Sequence, residues 1–101
     1  MSERAELKRI GAQAHKNSGR GMKKADGNLD RYIVDVKEYS KSFSVTQDVW
    51  AKIVTDTLKT NPNKSPVIML ALGEHKKVRL AIIEWSEFEE LREIREKYEH
   101  S

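Results

Sequence analysis

Residues 31–37 read RYIVDVK, an apolar run with an acid and a base set two apart, Asp35 and Lys37. Side chains alternate across a strand, so Asp35 and Lys37 share one face, while Tyr32, Val34 and Val36 share the other and can meet a core. A carboxylate inside such a run is costly unless it is paired or bound to a cation. Another acid, Asp26, stands nine residues upstream. A surface ion pair would account for the Asp-x-Lys triplet taken alone. Asp26 and the basic stretch between residues 15 and 30 shift the balance toward chemistry.

Upstream, residues 2–14 are expected to form a short helix, capped by Ser2, with Ala5, Leu7, Ile10 and Ala14 on its apolar face. Glu3 and Glu6 lie one turn apart on it; acids there also serve simply to complement the helix dipole. The following HKNSGRGMKKADGNLD, residues 15–30, is rich in Gly, Lys, Asn and Asp and reads as a basic surface loop. Its Ser18-Gly19-Arg20-Gly21 can be a linker, or a site where backbone amides and Arg20 grip a phosphate.

Downstream, residues 46–60 carry helical spacing through Val49, Trp50, Ile53, Val54, Thr57 and Leu58, with Ser44 or Thr46 as cap, capping rather than a DNA contact being the expected role of Ser44. Ser42 is free to touch a DNA backbone. TNPNKSP ends that helix. Two apolar runs, PVIMLAL and VRLAIIEW, flank the charged turn GEHKK and read as a hairpin of central strands. From Ser86 onward, Ser86 and Glu89 form a capping-box pattern, and Phe88, Leu91, Ile94 and Tyr98 recur at helical spacing. Tyr39 and Phe43 are expected to pack rather than stack on bases, and Trp50 and Trp85 to be core residues or anchors of a dimer interface. The order is helix, loop, strand, helix, strand, strand, helix, with a further strand conceivable near the loop: an α/β fold with a small mixed central sheet flanked by helices.

The 101 residues carry no internal repeat and no cysteine, so one domain over 1–101 is expected, with no disulfide framework or thiolate metal site. The missing apolar leader and membrane span suit a cytoplasmic protein. A homodimer would relieve the shortage of core. The formal charge of +3 is unevenly spread: residues 1–41 hold ten Lys or Arg against six Asp or Glu. That excess favours an anionic partner. The three histidines have no zinc-like spacing.

Two carboxylates with a lysine beside one of them suit metal-assisted phosphodiester hydrolysis. Mg²⁺ takes oxygen ligands, keeps several waters and is commonly fixed by one or two carboxylates plus substrate phosphate; Asp26 and Asp35 could supply them, with Mn²⁺ as the alternative ion. Lys37 would orient water or offset developing charge.

The series from a glutamate in the first helix, through Ser-Gly-Arg-Gly and a lone Asp, to apolar-Asp-x-Lys and Lys-Ser-Phe-Ser resembles the PD-(D/E)xK nuclease superfamily. Within it the likeness is to small archaeal-type and phage Holliday junction resolvases. The resemblance spans residues 3–50 and implies a restriction-endonuclease-like core, a homodimer, and divalent-metal cleavage of branched double-stranded DNA in recombination and repair, in a bacterial, phage-infected or archaeal cell. It implies catalytic and metal-binding roles for Asp26, Asp35 and Glu3, with Glu6 as the other choice, and a catalytic role for Lys37. Ser18 and Arg20 match a loop lying near the scissile phosphate, and Lys8, Lys16, Lys23, Lys24 and Ser42 would complete the DNA contacts. Two departures stand out: Ala25 precedes Asp26 where the family has Pro or Gly, and the second acid is Asp rather than Glu. The rival expectations are a non-catalytic DNA-binding module of the same fold, and a nuclease for flaps, ends or damaged DNA.

Overall fold

A computed structural model of the chain describes residues 3–14 and 26–100, and the side chains of residues 6–12 and 26–99. In chain order the elements are α1 (Glu3–Arg9), β1 (Gln13–Ala14), β2 (Gly27–Leu29), β3 (Tyr32–Tyr39), α2 (Gln47–Thr60), β4 (Ser65–Leu72), β5 (Val78–Ile82) and α3 (Trp85–His100). The strands form one mixed sheet in the order β1-β2-β3-β4-β5. Only β3 and β4 run parallel, joined through α2; the other pairs are antiparallel. This is an α/β architecture with helices against both faces of a small sheet.

The two faces have separate cores. Against one, Leu7 of α1 packs on Val34, Val36 and Met69. Against the other, Ile53 of α2 packs on Ile68 and Leu70, with Phe43, Val49 and Trp50 around it. The alternation read from RYIVDVK therefore holds: Val34 and Val36 are buried toward α1. Asp35 is registered with Ile68 and Lys37 with Leu70, which sets both on the α2 face.

Several expectations need correction. The first helix stops at Arg9 rather than continuing to Ala14, because Gly11 takes a positive φ of 81°, a left-handed conformation that ends helices at little steric cost. The Gly11 amide then donates to the Lys8 carbonyl and the Ala12 amide to that of Leu7, and Ala14 belongs to β1. Part of the expected loop is a hairpin: Leu29 pairs with Tyr32 across Asp30 and Arg31, and Asp30 adopts φ 52°, which a short polar side chain tolerates. Of the two expected caps of α2, Thr46 is the one observed: its hydroxyl accepts from the Val49 amide at 3.1 Å, so capping is not the role of Ser44. The expected hairpin of PVIMLAL and VRLAIIEW is present as β4 and β5, but only β4 is interior, β5 being an edge. Gly73 opens their turn at φ 127°, where a Cβ would lie 2.6 Å from the Lys76 carbonyl oxygen. The last helix begins at Trp85, one residue early, so Ser86 lies within its first turn and Glu84 accepts the Glu87 and Phe88 amides. Finally, Trp85, for which a core place was one of two expectations, is exposed, as are Phe88, Leu91, Ile94 and Tyr98; Glu87, in the first turn of α3, bonds Tyr32 and Ser65 of the sheet.

Candidate active site

The hairpin of β2 and β3 builds the site. Its ladder ends with Gly27 opposite Val34, so Asp26, one residue further, arrives beside Asp35 and Val36. The Asp26 amide donates to the Val34 carbonyl at 3.1 Å, and its carboxylate accepts the Val36 amide at 2.7 Å. The side chain thus extends the ladder past the end of the short strand and is held firmly by backbone.

On β3, the Lys37 ammonium lies 3.4 Å from Asp35 Oδ1. The Asp35 side chain is only 19% exposed, and its pKa is pushed up to about 6. Burial is the main cause; the Lys37 charge pulls the other way, and the neighbouring Asp26 carboxyl, both as a charge and as a hydrogen-bond partner, raises it further. Asp26, Asp35 and Lys37, separate in sequence, meet at one spot.

A second ammonium lies within electrostatic reach of Asp35. Lys52, on α2, bonds Asp56 at 3.0 Å, which raises its pKa, and the Asp35 charge adds a small increment in the same direction. Nothing in the sequence singled Lys52 out; its pairing with Asp56 at i,i+4 looks like ordinary helix-surface chemistry.

Glu6, one of the two helix glutamates, does not join this group. Glu6 is 2% exposed and sits on the α1 face, where Arg79 of β5 grips both its oxygens at 2.8 and 3.3 Å. The Arg79 hydrogen bonds hold its carboxyl below the ordinary range despite burial. The Glu3 side chain lies outside the described residues, as do Lys16, Ser18, Arg20, Lys23 and Lys24. Lys8 and Ser42 are exposed. Nearby on the sheet, Lys77 bonds Glu38 at 2.8 Å, and an open depression of about 420 Å³ is lined by Glu38, Tyr39, Ser40, Gly73, Glu74 and Lys77; neither Asp26 nor Asp35 lines it.

Compared with protein-family models, with curated proteins and with solved structures, the chain has no match. The chemistry of the site therefore rests on its own residues. Among the described residues no group of three His, Asp or Glu side chains converges to hold a metal; Asp26 and Asp35 are two carboxylates that meet there. Two carboxylates, one of them desolvated, fit a hard divalent cation that keeps most of its coordination as water. They do not fit a structural zinc site, which closes with four protein ligands.

Proposed function

We propose that this protein is a metal-dependent DNA endonuclease with a restriction-endonuclease-like core, acting as a homodimer on branched DNA of the Holliday junction kind. The observation that carries this reading is the desolvated Asp35 carboxyl, set between Asp26 and Lys37 at the junction of two strands. A carboxyl so placed is unfavourable as a bare anion, and a divalent cation shared with Asp26 would offset that cost.

Asp26 and Asp35 would hold Mg²⁺, which when bound supplies Lewis acidity toward a phosphoryl oxygen and a more acidic water. Lys37, anchored beside Asp35, aims its ammonium at the same space, where it can orient the attacking water or neutralise charge developing on phosphate. Lys52 adds positive potential from α2 and would draw the DNA backbone toward the two acids. The basic residues 8, 16, 20, 23 and 24 would contact phosphates, contributing affinity and orientation more than base selectivity.

A labelled four-way junction tests this. Wild-type protein with Mg²⁺ should release nicked duplexes and EDTA should stop it; Asp35→Ala and Lys37→Ala should each lower cleavage by roughly 100-fold or more while junction binding persists. Cleavage at wild-type rate in either variant would refute the assignment. Comparing junction, flap, linear duplex and single strand at one salt concentration separates a resolvase from a nuclease of other structures, since phosphate binding is steeply salt-dependent. The engagement of Glu6 by Arg79 favours a second reading, a DNA-binding module of the same fold without hydrolysis; it predicts binding to the junction with no Mg²⁺-dependent product.

A further inference from the structure

Tyr39 ends β3 on the face that carries Asp35 and Lys37. The three are registered with Leu72, Ile68 and Leu70 of β4, all of which belong to the core beneath α2, and alternate positions of a strand share a face. At about 3.3 Å per residue, Tyr39 stands about 13 Å along the strand from Asp35, with Lys37 midway. Of the two rings expected to pack, Phe43 joins the α2 core, whereas Tyr39 rests on Phe43 and stays 45% exposed. The ring centres are 5.0 Å apart and the planes are tilted by 31°. The backbone beneath is fixed as well, since the Gly73 amide donates to the Tyr39 carbonyl at 3.0 Å.

An exposed ring needs no explanation by itself; its place in line with two charged residues of the candidate site gives it one. The segment that follows is suited to phosphate. Ser40, Lys41 and Ser42 are all exposed, and α2 adds the exposed Lys52 within electrostatic reach of Asp35. The acid next to Tyr39, Glu38, alternates to the opposite face of the strand, where Lys77 bonds it at 2.8 Å. An aromatic ring beside a cationic track is how proteins hold single-stranded nucleic acid: bases stack on the ring while the track follows the phosphates. In a duplex each base is covered by its neighbours above and below, so such a ring is open only to a base that has left the stack.

We propose that Tyr39, seated on Phe43, is a stacking platform for an unpaired DNA base close to the phosphate held at Asp26 and Asp35. A separation of about 13 Å corresponds to about four nucleotides at 3.4 Å each, and to fewer when the strand is splayed. The inference rests on the reading that DNA meets this face, and it narrows the substrate: a branch, flap or gap with a nucleotide unpaired beside the cleaved bond is preferred to continuous duplex. Stacking takes any base, so the preference is for structure and not for sequence.

Titrations of the full chain in EDTA at one salt concentration test it, with a single-stranded oligonucleotide and the same strand annealed into continuous duplex as probes. The strand carries a fluorescent purine whose emission is quenched by stacking on an aromatic ring. The readout is the ratio of the two dissociation constants, because misfolding would weaken both. Tyr39→Leu should lower the preference for single strand by about 10-fold and abolish the quenching seen with wild type; Tyr39→Phe, which keeps the ring, should retain both. An unchanged ratio in Tyr39→Leu, or a Tyr39→Phe that loses as much as Tyr39→Leu, would overturn the platform, and a Mg²⁺-dependent product from wild type would leave the nuclease reading standing beside that result. A ratio that depends on the Tyr39 ring, with no product from wild type, would keep the platform and remove the cleavage. Wild type that binds neither probe would sink both.

Discussion

Asp35 carries an electrostatic cost that depends on pH in a definite direction. Its folded pKa of about 6 lies above the ordinary 3.8, so between these values the folded protein holds a proton that the unfolded chain has released. The contribution is fully present below about pH 4 and is lost as pH rises through 6. In metal-free buffer, Asp35→Asn should therefore be more stable than wild type at pH 7.5, by on the order of 2–3 kcal/mol, and nearly equal at pH 4. Urea denaturation at the two pH values checks this; an equal midpoint at pH 7.5 would mean that Asp35 is better solvated than its 19% exposure indicates. The triplet itself was legible in the sequence because strand alternation is local: a period of two assigns Asp35 and Lys37 to one face with no knowledge of the partners. The pKa was not, since it comes from Asp26 and from the α2 packing, which lie outside the strand.

Among the elements, α1 shows how a short helix is held by one apolar and one ionic contact. Leu7 buries into the sheet, and Glu6 is tied to Arg79, 73 residues away in sequence. Truncating Arg79 to Ala would take both hydrogen bonds from the buried Glu6 carboxylate, leaving it the more distant Arg9 guanidinium at 4.0 Å, and should destabilise the fold. The loss should be full at pH 7 and shrink as pH falls below 4.5, because a lowered carboxylate pKa stabilises only where the unfolded group is ionised. Thermal melts of Arg79→Ala at pH 7 and pH 3.5 would show whether the deficit behaves this way. No local pattern announces a pair so far apart, which is why Glu6 read as a dipole acid or a metal ligand. The end of α1 was missed for a different reason: its apolar spacing continues through Ala14, and Gly11 overrides it. In α3 the helical spacing was legible and its surroundings were not, because spacing places apolar residues on a helix without showing what they face.

At the scale of the molecule, the parallel β3 and β4 with α2 between them form the centre, and the two antiparallel flanks bring in Asp26 on one side and Arg79 on the other. The α/β class was readable from the order of runs; the strand order was not, since the position of β5 at the edge is decided by long-range pairing. The site is shared between the central unit and the N-terminal hairpin, so Asp26 reaches Asp35 only when that hairpin is docked. The bond from the Val36 amide to the Asp26 carboxylate records the docking. Because a side chain, rather than a neighbouring strand, accepts this amide, its hydrogen-exchange rate is a built-in gauge of site assembly: slow while Asp26 is in place, fast whenever the hairpin lifts, and independent of whether any substrate is present.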